Sequence, residues 1–144
     1  MPSRKDISPI DIPKLLPHLT LVERLDNGAF RLRLVGTAVA EAYGFDATGK
    51  TIDEILPEPR RSTAKEHYAA VFASGRPMFN RNRYRTSRVA ELVVSRLVLP
   101  LGDEFGRIVL LLIGHVFEFD TTVRGEYGAG TAAYAAGDHL EYLE

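Results

Sequence analysis

The sequence predicts an α+β domain with the element order strand, strand, short helices, one long helix and three further strands. Three stretches carry that prediction. Residues 30–35 alternate Phe30, Leu32 and Leu34 with Arg31, Arg33 and Val35, the period of a strand with one apolar face. Residues 60–74 set Ala64, His67, Tyr68, Val71 and Phe72 at helical spacing before Gly75 and Pro77 stop the run. Residues 107–120 contain the unbroken run Ile108, Val109, Leu110, Leu111, Leu112, Ile113, which is apolar on both faces and belongs at the centre of a covered sheet. With 144 residues, 45% of them hydrophobic and 26% charged, the chain fits one domain around one core.

Taken in chain order, Asp11 can cap a short helix over residues 12–16, with Pro13 in its first turn and Pro17 ending it. Residues 19–24 read as the first strand, Asp26-Asn27-Gly28 as a turn, and residues 30–35 as its hairpin partner. Gly36-Thr37 opens a short helix from Ala38 to Tyr43. The stretch YGFDATGKTIDEILPEP, residues 43–59, then doubles back: Gly44 and Gly49 tolerate positive φ, Thr51 or Asp53 caps a short helix over residues 52–56, and Pro57 stops it. The acids Asp53 and Glu54 suit the first turn of that helix, where the backbone dipole favours negative charge.

After the long helix come strands over residues 78–85, 91–101 and 107–120, the last two joined through Gly102-Asp103-Glu104-Phe105-Gly106. In the final strand Val109, Leu111, Ile113 and Phe117 share one face, and Ile108, Leu110, Leu112 and Val116 the other. The long helix covers only one of these faces. The other must be met by residues 7–16, by the tail or by a second subunit, and a homodimer is expected on that ground. The domain is placed at residues 6–120, leaving residues 121–144 as a Gly/Ala-rich acidic tail with the composition of a disordered segment.

Net charge is only -1, but it is polarised: Arg76, Arg81, Arg83, Arg85, Arg88 and Arg96 face the single acid Glu91, whereas residues 118–144 carry six acids against Arg124. The absence of cysteine removes a disulfide framework, a cysteine nucleophile and thiolate metal sites. The first ten residues lack a long apolar core and the run 108–113 is too short to span a bilayer, so a cytoplasmic location is expected. Phosphate-loop, nucleophile-elbow and His-Glu-x-x-His motifs are all missing.

Several separated phrases resemble the PAS domain family. Ala42-Tyr43-Gly44-Phe45, then Thr48-Gly49-Lys50-Thr51-Ile52-Asp53-Glu54-Ile55-Leu56-Pro57, is similar to that family's Gly-Tyr, Gly-Lys and Asp-Leu-x-Pro run. Ala73-Ser74-Gly75-Arg76-Pro77 is similar to its break between helix and strand, and residues 99–107, LPLGDEFGR, to its last hairpin. The front end, Asp11-Ile12-Pro13-Lys14-Leu15-Leu16-Pro17-His18-Leu19 with Arg33-Leu34-Val35-Gly36-Thr37, resembles a bacterial subgroup of short, PAS-only proteins. Residues 86–91 depart from the Asp-Gly turn that many members place there. The resemblance implies a five-stranded antiparallel sheet flanked by short helices and one longer helix. It also implies a sensory or interaction module that acts on a signalling partner in trans, tuned by a small molecule.

The pocket of such a domain is expected between the long helix and the inner face of the sheet, lined by Tyr43, Phe45, His67, Tyr68, Val71, Phe72 and residues of the last two strands. A mostly apolar wall of that kind suits a small neutral or weakly anionic molecule, since the arginines able to pair phosphates lie mainly between Phe79 and Arg85. The same side chains equally describe a filled core. The cofactor is not specified. Flavin photoreceptors of the superfamily carry an Asn-Cys-Arg motif, and with no cysteine an adduct-forming flavin is excluded. Haem ligation through His67 is disfavoured, because one histidine without a spacing motif fits a helix-edge residue bonded to water or backbone. His115 reads as a bonded core or interface residue, and His18 and His139 as exposed.

Two other classes compete. Arg81, Arg83 and Arg85 form a positive ridge on one strand face, but thin aromatic interleaving disfavours nucleic acid and a solvated face or partner-docking surface fits as well. A small enzyme would need a buried carboxylate, from Asp46, Asp53 or Glu66, beside Tyr43, Tyr68 or His67. A PAS scaffold without ligand is the remaining alternative.

Overall fold

The computed structural model describes residues 2, 3, 5, 13–85, 92–119 and 141–142, with Tyr43, Tyr84, Arg85, Phe119, Glu141 and Tyr142 described by their backbone alone. Strands β1 (Leu19–Arg24) and β2 (Phe30–Val35) form the first hairpin, followed by helices α1 (Thr37–Tyr43), α2 (Ile52–Ile55) and α3 (Arg60–Ser74). Strands β3 (Met78–Arg85), β4 (Leu92–Gly102) and β5 (Ile108–Phe119) complete an antiparallel sheet of order β2-β1-β5-β4-β3. The doubly apolar strand β5 therefore lies at the centre, as its sequence requires. Two residues of the tail, Glu141–Tyr142, pair antiparallel with the end of β3 as a short sixth strand, β6. The rest of the tail, Asp11 with its expected cap, and residues 86–91 lie outside the described residues.

The stretch 43–59 folds as its residues dictate. Gly44 closes α1 at φ 88° and Gly49 turns at φ 87°, conformations that a side chain would strain. Glu54 Oε2 accepts from the Thr51 backbone N–H at 2.8 Å, satisfying one of the donors that a helix start leaves open. Lys65 Nζ donates to Asp53 Oδ1 at 3.0 Å and ties α2 to α3. Helix α3 ends on Gly75 at φ 68°, whose N–H bonds the Val71 carbonyl.

Three sequence expectations are corrected. The helix over residues 12–16 is instead a single 3-10 turn at Leu16–His18, with Pro17 inside it where a missing N–H costs nothing. Leu34 does not share a face with Phe30 and Leu32. A bulge pairs Leu21 with Leu34 but Val22 with Leu32, so Leu34 turns to the opposite face and is exposed. A second bulge, between Leu101 and Gly102, makes Gly102 pair with Ile108 and Leu101 with Leu110. It brings Ile108 onto the face of Leu111 and leaves Val109 exposed.

Among the described residues, apolar side chains cluster on both faces of the sheet. The inner core joins Val22, Phe30, Leu32, Leu111 and Ile113 of the sheet to Ile52, Val71 and Phe72 of the helices. Phe30 packs edge-on to Tyr68 at 5.5 Å and tilted to Phe72 at 5.9 Å, and the Arg24 guanidinium lies 4.4 Å from the centre of the Phe72 ring. The outer core holds Leu19, Leu21, Leu101, Leu110 and Leu112, with Leu16 of the 3-10 turn packed on it. The Gly102 N–H donates to the Pro2 carbonyl at 2.9 Å, so the start of the chain also reaches this part of the sheet. Gly36 seats the 3-10 turn: a Cβ there would sit 2.4 Å from the carbonyl oxygens of Leu16 and Pro17.

Candidate functional site

Between α2, α3 and the inner sheet face lies a cavity with about 50 Å³ of interior space. Leu32, Ile52, Ile55, Leu56, Ala64 and Val98 contribute the aliphatic part of its lining. The remainder is polar: Thr20, Asn80, Asn82, Arg96 and His115 rise from the sheet, and Arg60, Thr63, His67 and Tyr68 come down from α3.

Strand register explains how these groups meet. Asn80 pairs with Arg96 and Arg96 with His115, so the three form one rung across β3, β4 and β5 on the inner face. Asn82 lies two residues along, and its Nδ2 donates to Asn80 Oδ1 at 3.2 Å. His115 is buried; its Nε2 shares a 3.1 Å hydrogen bond with the Thr20 hydroxyl, and its ring stacks on Phe117 at 5.9 Å. Its Nδ1 is buried without a hydrogen-bond partner. Burial, reinforced by the positive charge of Arg96 and by His18, holds the imidazole pKa well below the usual 6.5, so His115 is neutral at physiological pH.

The sequence-predicted pocket residues divide. His67 and Tyr68 line the cavity. Val71 and Phe72 are buried in the inner core beside it, and Phe45 is exposed. The Tyr43 side chain lies outside the described residues. His115 is the bonded core residue its strand position suggests, and His18 is exposed. Sequence reasoning missed Thr20, Arg60, Asn80, Asn82 and Arg96. The strand residues could have been found: each has the parity of an inward position such as Val98, and a polar residue in such a row is a buried polar group that needs a reason. Arg60 gave no such signal, since it opens a helix and its burial depends on how α3 docks.

The placement of arginines is also corrected. Arg81 and Arg83 occupy the outer face, and Arg81 Nη2 pairs with Glu118 of β5 at 3.5 Å, so that ridge is partly neutralised from within the sheet. The arginines that reach the cavity are Arg60 and Arg96. The acids considered for an enzyme are elsewhere. Asp46 accepts from the Thr48 N–H and hydroxyl, which lower its pKa; Asp53 is paired with Lys65; Glu66 is exposed. Among the described residues no cluster of three or more His, Asp or Glu is arranged to hold a metal ion, and no helix is long and apolar enough to cross a membrane.

On the outer face a contiguous apolar patch remains open. Phe79 pairs with Leu97, and Val116 lies diagonally beside Leu97 on β5; these side chains are 66%, 44% and 58% exposed.

Comparison with known proteins bears on this architecture. The sequence profile of the PAS domain matches residues 1–115. No curated protein matches the chain. Among solved structures, a LOV protein from Rhodobacter sphaeroides superposes with a TM-score of 0.52 at 15% identity, covering 77% of this chain and 68% of that one. At that identity the likeness speaks for the fold.

Proposed function

This chain belongs to the PAS domain family, and from that premise we propose that it is a sensory module acting in trans, its contacts with a signalling partner tuned by a small molecule held between α3 and the inner sheet face. The observation that carries the reading is the cavity itself. Helix α3 and the sheet do not close on each other, and the gap is lined by polar side chains that a filled apolar core would exclude.

The output surface in this reading is the outer face, where Phe79, Leu97 and Val116 stay exposed. A second copy of the chain is the expected occupant there, giving a homodimer, with the signalling partner docking on the dimer. The purified protein is expected to be colourless, because the chain has no cysteine for a flavin adduct and no haem motif beyond the single His67.

The test is mass spectrometry of molecules released on denaturing the purified protein, together with a thermal-shift screen of a broad metabolite library. A stoichiometric small molecule, or a compound that raises the melting temperature, is the expected result. Nothing released and no compound stabilising would leave a ligand-free interaction scaffold. A turnover screen that found catalysis would instead favour the enzyme class.

A further inference from the structure

The polar groups that line the cavity differ in whether their hydrogen bonds are already committed. Arg60, Arg96 and Tyr68 are each engaged by other groups of the protein, the Thr63 hydroxyl donates to the Pro59 carbonyl, and Thr20 and His115 bond each other. The asparagines of β3 are different. Asn80 and Asn82 stand two residues apart on the inner face, and both line the cavity. Asn82 Nδ2 donates to Asn80 Oδ1 at 3.2 Å, and among the described residues this is the one hydrogen bond that either side chain makes. Asn80 Nδ2 thereby keeps both of its N–H donors open, and Asn82 Oδ1 keeps its lone pairs. Neither atom is sealed in the core, since among the described residues only His115 Nδ1 is a buried side-chain nitrogen or oxygen without a partner. Both asparagines are half-buried, where a hydrogen bond to a ligand is stronger than on an open surface. Turning both amides over exchanges which one donates and which accepts, and leaves the same pair of openings.

A donor and an acceptor open together select a ligand that carries both. A carboxylate, phosphate or sulfate only accepts, so it would satisfy Asn80 Nδ2 and set a negative oxygen against Asn82 Oδ1. An ammonium group only donates and reverses the mismatch. A hydroxyl has both roles on one atom, whereas the two openings belong to separate amides. The mutual bond holds those amides side by side, and a primary carboxamide or a lactam likewise presents N–H and C=O side by side in one plane. A secondary amide in the ordinary trans form points them in opposite directions. The aliphatic part of the lining, Leu32, Ile52, Ile55 and Val98 among it, offers contact to a carbon skeleton.

We propose that the ligand of this domain is a small neutral amide with N–H and C=O on one edge, a primary carboxamide or a lactam, bound through that edge to Asn80 and Asn82. This rests on the ligand-tuned reading above and specifies its chemistry.

The test titrates the purified full chain with propionamide and pyrrolidinone, and with N-methylpyrrolidinone, N-methylacetamide, propionate and propanol, all at constant ionic strength. Binding is read from the side-chain amide NMR signals of Asn80 and Asn82 and from thermal shift. Propionamide and pyrrolidinone are expected to move those signals saturably and to raise the melting temperature. N-methylpyrrolidinone keeps the C=O but lacks the N–H, and N-methylacetamide holds the two apart; both are expected to bind at least about tenfold more weakly, as are propionate and propanol. Asn80→Leu and Asn82→Leu each remove one opening and are expected to weaken pyrrolidinone binding by about 10- to 100-fold. Equal binding of pyrrolidinone and its N-methyl form, or of propanol, would overturn the amide assignment while keeping a ligand-tuned module. A preference for propionate would overturn it in favour of an anion. If no probe binds here but the metabolite screen finds a ligand, the proposal fails alone; if that screen is also empty, both readings fail. Because the probes are compared on the unsubstituted protein, the result does not depend on the variants folding.

Discussion

On the inner face of the sheet the rung across the middle of β3, β4 and β5 is Asn80, Arg96 and His115; on the outer face the adjoining rung is Phe79, Leu97 and Gly114. The two rungs are one residue apart in sequence and opposite in character. The enclosed side holds charge and hydrogen-bonding groups, and the open side holds exposed hydrocarbon, the reverse of what burial alone would select. Each reversal has a stability cost, and each is a feature that binding can use: a polar cavity for a small molecule, an apolar patch for a protein. Alternation along three strands is enough to place the two surfaces back to back, one sheet thickness apart.

The sharpest way to break this division is at the boundary between core and cavity. Phe72 belongs to the inner core and not to the cavity wall. Phe72→Ala is therefore expected to lower stability by about 3–5 kcal/mol in urea unfolding while preserving any ligand-induced rise in melting temperature. Loss of that rise in a variant that still folds would extend the cavity into the core.

Next in size is the seat of the 3-10 turn on the outer side. Gly36 has φ -67°, which any residue adopts, so Gly36→Ala acts only by collision with the Leu16 and Pro17 carbonyls. A cost of about 1–3 kcal/mol is expected in equilibrium unfolding. An unchanged midpoint would mean that the turn does not dock on this glycine.

Much of this architecture is legible in the residues. The alternation in 30–35, the helical stripe in 60–74 and the doubly apolar run in 108–113, with the β-rich runs and turn residues that bound 19–24, 78–85 and 91–101, placed all five main strands and the long helix within one residue of their bounds. The bulges were not legible. Leu34 and Val109 continue the alternation of their strands, and only pairing with a neighbour reveals the extra residue that turns Leu34 and Ile108 over. The site was partly legible for a related reason. His67 and Tyr68 could be assigned to the cavity from the helix stripe, but the sheet side of the cavity depends on which strands lie side by side, and the rung from Asn80 to His115 joins residues 35 positions apart.

Acidification tests the buried histidine. The folded-state pKa of His115 is depressed, chiefly by burial, then by Arg96 on the neighbouring strand and by His18. Thr20 supplies its hydrogen bond. The unfolded chain therefore binds a proton that the folded one refuses, so stability from this residue is full above about pH 6.5 and declines as pH falls toward the lower folded value. His115→Gln is expected to remove that part of the slope between pH 6.5 and 5, measured by urea midpoints. An identical slope in both proteins would place a charged His115 in the folded state.

The smallest effect on stability is expected on the outer face. Leu97→Ser with Val116→Ser changes exposed residues and should alter monomer stability by about 0.5 kcal/mol or less. The same pair is expected to convert a dimer to a monomer in light scattering. A protein that is monomeric throughout the micromolar range before any substitution would remove the second copy from this face.

The claim that the two faces have separate tasks is tested most directly by amide chemical-shift mapping during a titration with the compound that most raises the melting temperature in the metabolite screen. The account predicts saturable shifts at Thr20, Asn80, Arg96 and His115, together with Arg60 and Tyr68 of α3, and smaller or no shifts at Phe79 and Leu97. Shifts confined to the outer face, or none at either face, would contradict it.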